Sequence, residues 1–425
     1  MSHQLAVTAM AEVLPGRMEE LRRILKTFTT GDGAAGPLAF AKIPSVHFAR
    51  LFTIEETSDL EGNPLPGRLV FLSDIDAPLD KYLDDLFEAG GDALDGVFEC
   101  CEGFPTTRPL TNEDRATFLR HHMVEPAAMY VNTVGRTADQ VHQEAELRNA
   151  IEGFLDRPEH DFSGLGAVEV QARIRDYVES QEGMRWSRAP ATKPSLAWRI
   201  NEALHLVAVP LLLLILLPVL IVVLPVWIVL IRIHELRDEP SLEKPDERRV
   251  QELAALEDHV VQNQFTAIGY MKPGPVRRLT TIALLRLANY GTRHVFNRGR
   301  LTGVKTIHFA RWVFLDDMKR LVFASNYDGS LESYMDDFID KVAWGLNAIF
   351  SNGVGYPKTS WLVRGGATNE QMFKDFLRLR QLPTEFWYSA YSGLTAQNIE
   401  NNAHIRAGLF ANLNEREAEE WLRRL

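Results

Sequence analysis

The 425-residue chain has only two cysteines, Cys100 and Cys101, and they are neighbours. A disulfide framework needs spaced pairs, so none is expected, and this usage fits a reducing compartment. No zinc-ligand spacing is present either. The chain has no P-loop, no G-x-S-x-G and no H-E-x-x-H. Those absences argue against nucleotide binding, serine hydrolysis and zinc proteolysis of the kinds that use these motifs. Positive charge is the minority sign: 46 Lys and Arg stand against 57 Asp and Glu, a net charge of -11. A phosphate backbone is therefore not expected as a partner, and no nucleic acid is. The opening "MSHQLAVTAMAEVLPGR" lacks the basic and apolar regions of a signal peptide and alternates like a strand.

Charge is missing altogether from Leu206 to Ile231, "LVAVPLLLLILLPVLIVVLPVWIVLI". A bilayer needs about 20 apolar residues, so this run is expected to enter a membrane. Pro210, Pro218 and Pro225 interrupt it, and each removes a helical hydrogen bond. Two arrangements follow: one kinked span, or a re-entrant hairpin bent near Pro218. Arg185, Arg188, Lys193 and Arg199 precede the run and Arg232 and Arg237 follow it, so charge does not orient it.

The rest of the chain reads as one unit written twice. "SVHFARLFTIEE" from Ser45 matches "TIHFARWVFLDD" from Thr306, and "RLVFLSDIDAPLDKYLDD" (68–85) aligns without gaps to "RLVFASNYDGSLESYMDD" (320–337). Ten of those eighteen positions are identical, where chance gives about one. The first copy carries nine extra residues within 56–67. Each copy reads β-α-β-β-α-β, with an inserted helix before its last strand and a closing helix after it. The expected fold is α+β. The first repeat covers 1–155, a helix and linker 156–203, the membrane segment 204–233, a charged linker and helix 234–262, and the second repeat 263–425.

This order resembles the ferredoxin-like unit of the dimeric α+β-barrel superfamily, in which two units bring their open sheet faces together. If the two repeats pair with each other, both lie on one side of the membrane. The hairpin is therefore expected over the single span, with both repeats facing the cytoplasm. The single span would require each repeat to find its mate in another molecule.

Candidate chemistry starts from His308 and Arg311, with His47 and Arg50 in the first copy. Side chains alternate along a strand, so the two cannot line one wall unless a bulge intervenes. One reading is a buried pair with a carboxylate such as Asp76 or Asp328. The superfamily also includes dye-decolorising peroxidases and chlorite dismutase-like proteins, tandem units with haem in the C-terminal one. "SNYDG" (325–329) is similar to the peroxidases' G-x-x-D-G, with Ser325 in place of the first glycine, and "AHIR" (403–406) is similar to the context of their haem-ligating histidine. The resemblance implies haem with His404 on the iron and His308 beside the cofactor. It also implies Asp328 as the acid–base residue, with Arg311 or Arg364 as the distal cation. The residue-level alternative makes Asp328 a cap of the second helix, because Asp76 matches it, and His404 a surface residue.

Two functions are carried forward. One is a membrane-anchored barrel holding haem or another lipophilic small molecule, with peroxidase-like oxidoreductase chemistry. The other is a non-catalytic monotopic scaffold that homo-oligomerises and organises the bilayer.

Overall fold

The computed structural model describes residues 4–29, 37–191, 195–296, 299 and 301–425, so Lys193 lies outside the described residues. Before the apolar run come β1 (Gln4–Glu12), α1 (Met18–Lys26), β2 (Val46–Ile54), β3 (Thr57–Ser58), β4 (Pro64–Leu65) and β5 (Arg68–Asp76). These are followed by α2 (Leu79–Phe98), α3 (Asn112–His121), β6 (Ala128–Val131), α4 (Ala138–Leu155) and α5 (Ala167–Ser180). The run itself lies in α6 (Leu196–Leu236), and α7 (Glu247–Ala254) comes next. The second half gives β7 (Gln262–Tyr270), α8 (Pro275–Tyr290), β8 (Ile307–Leu315), β9 (Arg320–Asp328) and α9 (Leu331–Phe350). It ends with β10 (Thr359–Ser360), β11 (Arg364–Gly365), α10 (Glu370–Arg380), β12 (Phe386–Ser389), α11 (Ala396–Leu409) and α12 (Glu415–Leu422). The molecule is α+β, with antiparallel sheets and one long apolar helix.

The two large sheets have the orders β1-β5-β2-β12 and β6-β8-β9-β7. Each therefore takes three strands from one half and its fourth from the other. β12 pairs with β2 through Phe386–Leu51 to Ser389–Phe48, and β6 pairs with β8 through Ala128–Trp312 to Val131–Phe309. Here the sequence reading, in which each half keeps its own last strand, is corrected. The approach to each exchanged strand starts at home. Met123 bridges Ala9 and the Val124 amide donates to Thr8, then Pro126 follows; Gln381 bridges Ala267 and the Leu382 amide donates to Thr266, then Pro383 follows. Proline has no amide to continue such a ladder. Past it the chain leaves its own edge strand and crosses to the other sheet, so the two sheets are joined along both edges.

Strand alternation then sorts the side chains. Ala49, Leu51, Leu69 and Phe71 face α1 and α2 in one core. Ala310, Trp312, Leu321 and Phe323 lie in the matching core under α9. Phe52, Ile54, Val70 and Leu72 meet Val313, Leu315, Val322 and Ala324 between the sheets. A bulge falls between Val46 and Phe48, and another between Ile307 and Phe309. Each bulge resets the alternation. His308 and Arg311 consequently both serve the inter-sheet side, as do His47 and Arg50.

The arginines cross the gap. Arg311 donates to the carbonyls of Val7 (2.7 Å) and Ser73 (3.1 Å), to Thr8 Oγ1 (3.0 Å) and to Asp74, all in the first half. Arg50 donates to the carbonyls of Phe265 (3.1 Å) and Ser325 (2.8 Å), to Thr266 Oγ1 (2.9 Å) and to Asn326, all in the second. The nine extra residues form the β3–β4 hairpin, which also reaches across: Asp59 pairs with Lys319 at 2.5 Å, and Tyr270 donates to the Ser58 carbonyl at 2.7 Å.

α6 is continuous over 41 residues, about 61 Å, with no break at Pro218. At about 100° per residue its three prolines fall within a sector of about 80°, so the carbonyls they leave free share one side.

Two predictions follow from these crossings. Arg311→Met strands a buried Asp74 and is expected to cost about 3–5 kcal/mol; adding Asp74→Leu recovers part of that loss. Urea titration of both variants checks this, and a single-variant cost below about 1 kcal/mol would contradict the burial argument. The second concerns acid. The hydrogen bond from Lys319, then those from Asn63, hold the Asp59 carboxyl below the usual carboxylate range. A depressed folded-state pKa gives stability that is full above about pH 4 and is lost as pH falls toward that value. Asp59→Asn should therefore melt lower than the parent at pH 7, with the gap narrowing below pH 4. A gap that does not change with pH would refute the linkage.

Candidate functional site

The two bulges gather the polar residues at one end of the inter-sheet space. His47 Nε2 lies 3.1 Å from Asp76 Oδ1, and Asp76 Oδ2 accepts the Ala138 amide at 2.9 Å. In the other half His308 Nε2 lies 2.6 Å from Asp328 Oδ1, and Asp328 Oδ2 accepts the Ala396 amide at 2.8 Å. Ala138 and Ala396 are the first residues of α4 and α11. Each carboxylate thus ties a strand histidine to the start of the closing helix, where backbone N–H groups favour negative charge. The sequence reading had this aspartate capping the second helix; it caps the closing helix instead.

The halves differ at the next atom. Tyr391 Oη lies 2.8 Å from His47 Nδ1. With the Nε2 proton on the Asp76 side, Nδ1 accepts from the tyrosine hydroxyl. Burial pushes the Tyr391 hydroxyl well above its ordinary value, and the nearby Asp76 and Asp74 add to this, so it stays protonated and donates. Thr133 occupies the corresponding place in the first half. Phe48, Phe309 and Tyr391 pack between the two histidine rings.

Further in stand the two guanidiniums and a single carboxylate, because Asn326 occupies the place matching Asp74. The Asn326 amide donates to Asp74 at 3.1 Å. Burial pushes the Arg50 guanidinium down to about 9; Asp74 opposes the shift and Arg311 adds to it. It remains a cation at neutral pH, solvated by the carbonyls of the opposite sheet.

The site residues expected from the sequence are only partly brought together. His308 and Asp328 are in contact, and Arg311 lies three residues along the same strand, bonded to the first half. Arg364 is exposed on β11, in the short β10–β11 hairpin beside α6. His404 is 54% exposed on α11, with Glu400 at 3.9 Å. The space also fails a haem. The cavity beside His47, His308 and Tyr391 is about 30 Å³, and the one between Arg50, Asp74, Arg311 and Asn326 about 10 Å³. Such volumes hold a water or two. The larger cavities, of about 430 and 340 Å³, are lined by neither His308, Asp328 nor His404. Among the described residues no group of three His, Cys, Asp or Glu side chains could hold a metal ion. The residues present do not fit a haem, and no step is derived through one.

Comparison with known protein families, with curated proteins and with solved structures finds no match.

What the arrangement can do is hold protons in fixed places and tie strands to helices. Sequence reasoning missed Tyr391 and Arg136 as members of this end of the molecule. The signal available for both was their difference from Thr133 and Leu394 in otherwise matching "G-x-T-A" stretches. Stability measurements separate the roles. Asp328→Ala orphans the His308 and Ala396 donors and is expected to cost about 2–4 kcal/mol. His404→Ala, on the surface, should change stability by no more than about 0.5 kcal/mol. Equal losses from the two would contradict this assignment.

Proposed function

We propose that this protein is a monotopic membrane protein whose two halves form one strand-exchanged α+β barrel of ferredoxin-like units, serving as a non-catalytic scaffold on the bilayer surface. The observation that carries the reading is that both ends of the apolar helix dock on the same half of the molecule. Near its start, His294 of the segment after α8 pairs with Glu202 at 2.6 Å, and Tyr290 donates to the His205 carbonyl at 3.2 Å. Near its end, the Trp227 indole donates to Thr280 at 3.0 Å, and Glu235 accepts from Thr359 and the amides of Trp361 and Leu362.

Between those anchors the helix is apolar all round, and its most apolar 18 residues have a mean hydropathy of 3.3 with none of them buried. The uncharged stretch is about 39 Å long, enough to cross an approximately 30 Å core. A straight crossing would place its ends on opposite sides of the bilayer, which a barrel gripping both ends cannot follow. A helix lying in the plane of one leaflet satisfies both anchors. The neighbouring surface suits headgroup contact: Leu279, Leu287, Trp361 and Val363 are exposed, and Arg232 lies over the Trp361 ring at 5.4 Å. Strand exchange inside one chain covers both sheet faces, so homo-oligomers of this unit would use other surfaces. The peroxidase reading is set aside because the barrel interior is filled.

Site-directed labelling tests the topology. Cys100 and Cys101 are buried, so cysteines placed at the exposed Glu182 and Glu243 report alone. Both are expected to react with an impermeant maleimide from the same side of sealed vesicles. Labelling from opposite sides would establish a single span and end the monotopic reading. The protein purified in mild detergent is also expected to be colourless and to take up no stoichiometric haemin; a haem band at one per chain would overturn the scaffold assignment.

A further inference from the structure

A cavity of about 340 Å³ lies between the start of α4, the second half of α11 and residues 187–191, the stretch that leads toward α6. Its size is that of a small-molecule site. Val134, Ala189, Pro190, Ala407 and Phe410 make one side of it apolar. The other side is charged, and most of those charges are matched. Arg406 donates to Glu144 Oε1 at 3.2 Å and to the Ala189 carbonyl at 2.8 Å, and Arg188 pairs with Glu179 at 3.5 Å.

Two atoms are left over. Arg136 Nη1 and Glu144 Oε2 are both buried, and neither has a hydrogen-bond partner among the described residues. Buried polar groups in native proteins are nearly always paired, so two unmatched atoms of opposite charge on the wall of one cavity point to something that occupies it. The unmatched set has a definite chemistry. A guanidinium N–H asks for an anionic oxygen, and a carboxylate oxygen asks for a donor beside it. Burial lowers the Arg136 guanidinium from its ordinary value, and the Glu144 and Glu400 carboxylates nearby oppose the shift without reversing it. Matching positions in the second half are Leu394 and Asn402, so the set occurs once per chain.

We propose that this cavity binds a small amphiphile with an anionic head, a hydroxyl donor next to it and an apolar tail. Its anionic oxygen sits on Arg136, its hydroxyl donates to Glu144 Oε2, and its tail lies along Ala407 and Phe410. A hydroxy acid and a lysophosphatidate share this chemistry. The site does not depend on how α6 meets the bilayer, so its failure and that of the monotopic reading are separable.

The test uses the full chain in mild detergent with 2-hydroxyoctanoate as probe, read by calorimetry and thermal shift. Saturable one-to-one binding is expected, at least five-fold tighter than octanoate, which lacks the donor. Arg136→Gln should weaken it at least ten-fold, and Arg364→Gln, remote from the cavity, should leave it unchanged. Ala407→Trp, which fills the apolar side from an exposed helix position, should abolish binding and guards against a folding defect in the first variant. Competition by lysophosphatidate in bicelles would assign the lipid source, and its absence with retained hydroxy acid binding the soluble one. No saturable binding of either compound, or binding unaffected by both Arg136→Gln and Ala407→Trp, would overturn the proposal.

Discussion

Arg50 and Arg311 each start in one sheet and end on the backbone of the other, and the rest of the molecule is arranged around that exchange. The two sets of acceptors match: the carbonyls of Val7 and Ser73 on one side, those of Phe265 and Ser325 on the other. A guanidinium is planar, weakly hydrated and rich in donors, so it can be solvated by carbonyls where an ammonium could not. Such a group tolerates burial only while the facing strand stays in register. Separating the sheets would leave two cations and one carboxylate unpaired in an apolar layer, so the two halves are held to a single relative position. Strand exchange at β6 and β12 enforces that position a second time, through the backbone.

Much of this frame can be read in the residues themselves. The alternating apolar positions of "HFARLFTI" and "HFARWVFL" give strands with two buried faces, and the helical stripes behind them give the covering layer. The bulge is harder to see, because a register slip of one residue leaves composition untouched. The exchange of the last strands is invisible for a simpler reason. A pattern of apolar residues says which face of a strand is buried, but nothing about which edge it joins. Pro126 and Pro383 mark where the ladder with the home strand must stop, yet a proline does not say where the chain goes next.

Local chemistry was legible to about the same depth. His308 with Asp328 is a neighbour relation across paired strands, set by register, and it is realised. His404 and Arg364 were tied to that pair only through short resembling stretches, and the fold sends them elsewhere, one to the outer side of α11 and one to a short hairpin beside α6. The apolar run was read correctly as a segment apart from the soluble cores. Its continuity was not: a hairpin bent near Pro218 was expected, and α6 runs unbroken through all three prolines, which lie within about 80° of one helix side.

The shared frame also makes the differences between the halves informative. Where a position serves only to hold the sheets together, both halves carry the same group: His47 and His308, Asp76 and Asp328, Arg50 and Arg311. Asn326 against Asp74 departs at the centre, and three further departures gather in one region: Tyr391 against Thr133, Arg136 against Leu394, Glu144 against Asn402. A symmetric frame needs none of these. Tyr391 closes the hydrogen bond of one histidine, and Arg136 stands between the small cavity beside that histidine and the larger one under α11. Polar atoms that no neighbour matches lie in the same place. Structural polar groups find partners within the fold because an unmade bond costs about 1–3 kcal/mol each. The unmatched atoms of Arg136 and Glu144, on the wall of the larger cavity, are therefore better explained by what that cavity meets than by what holds the halves together.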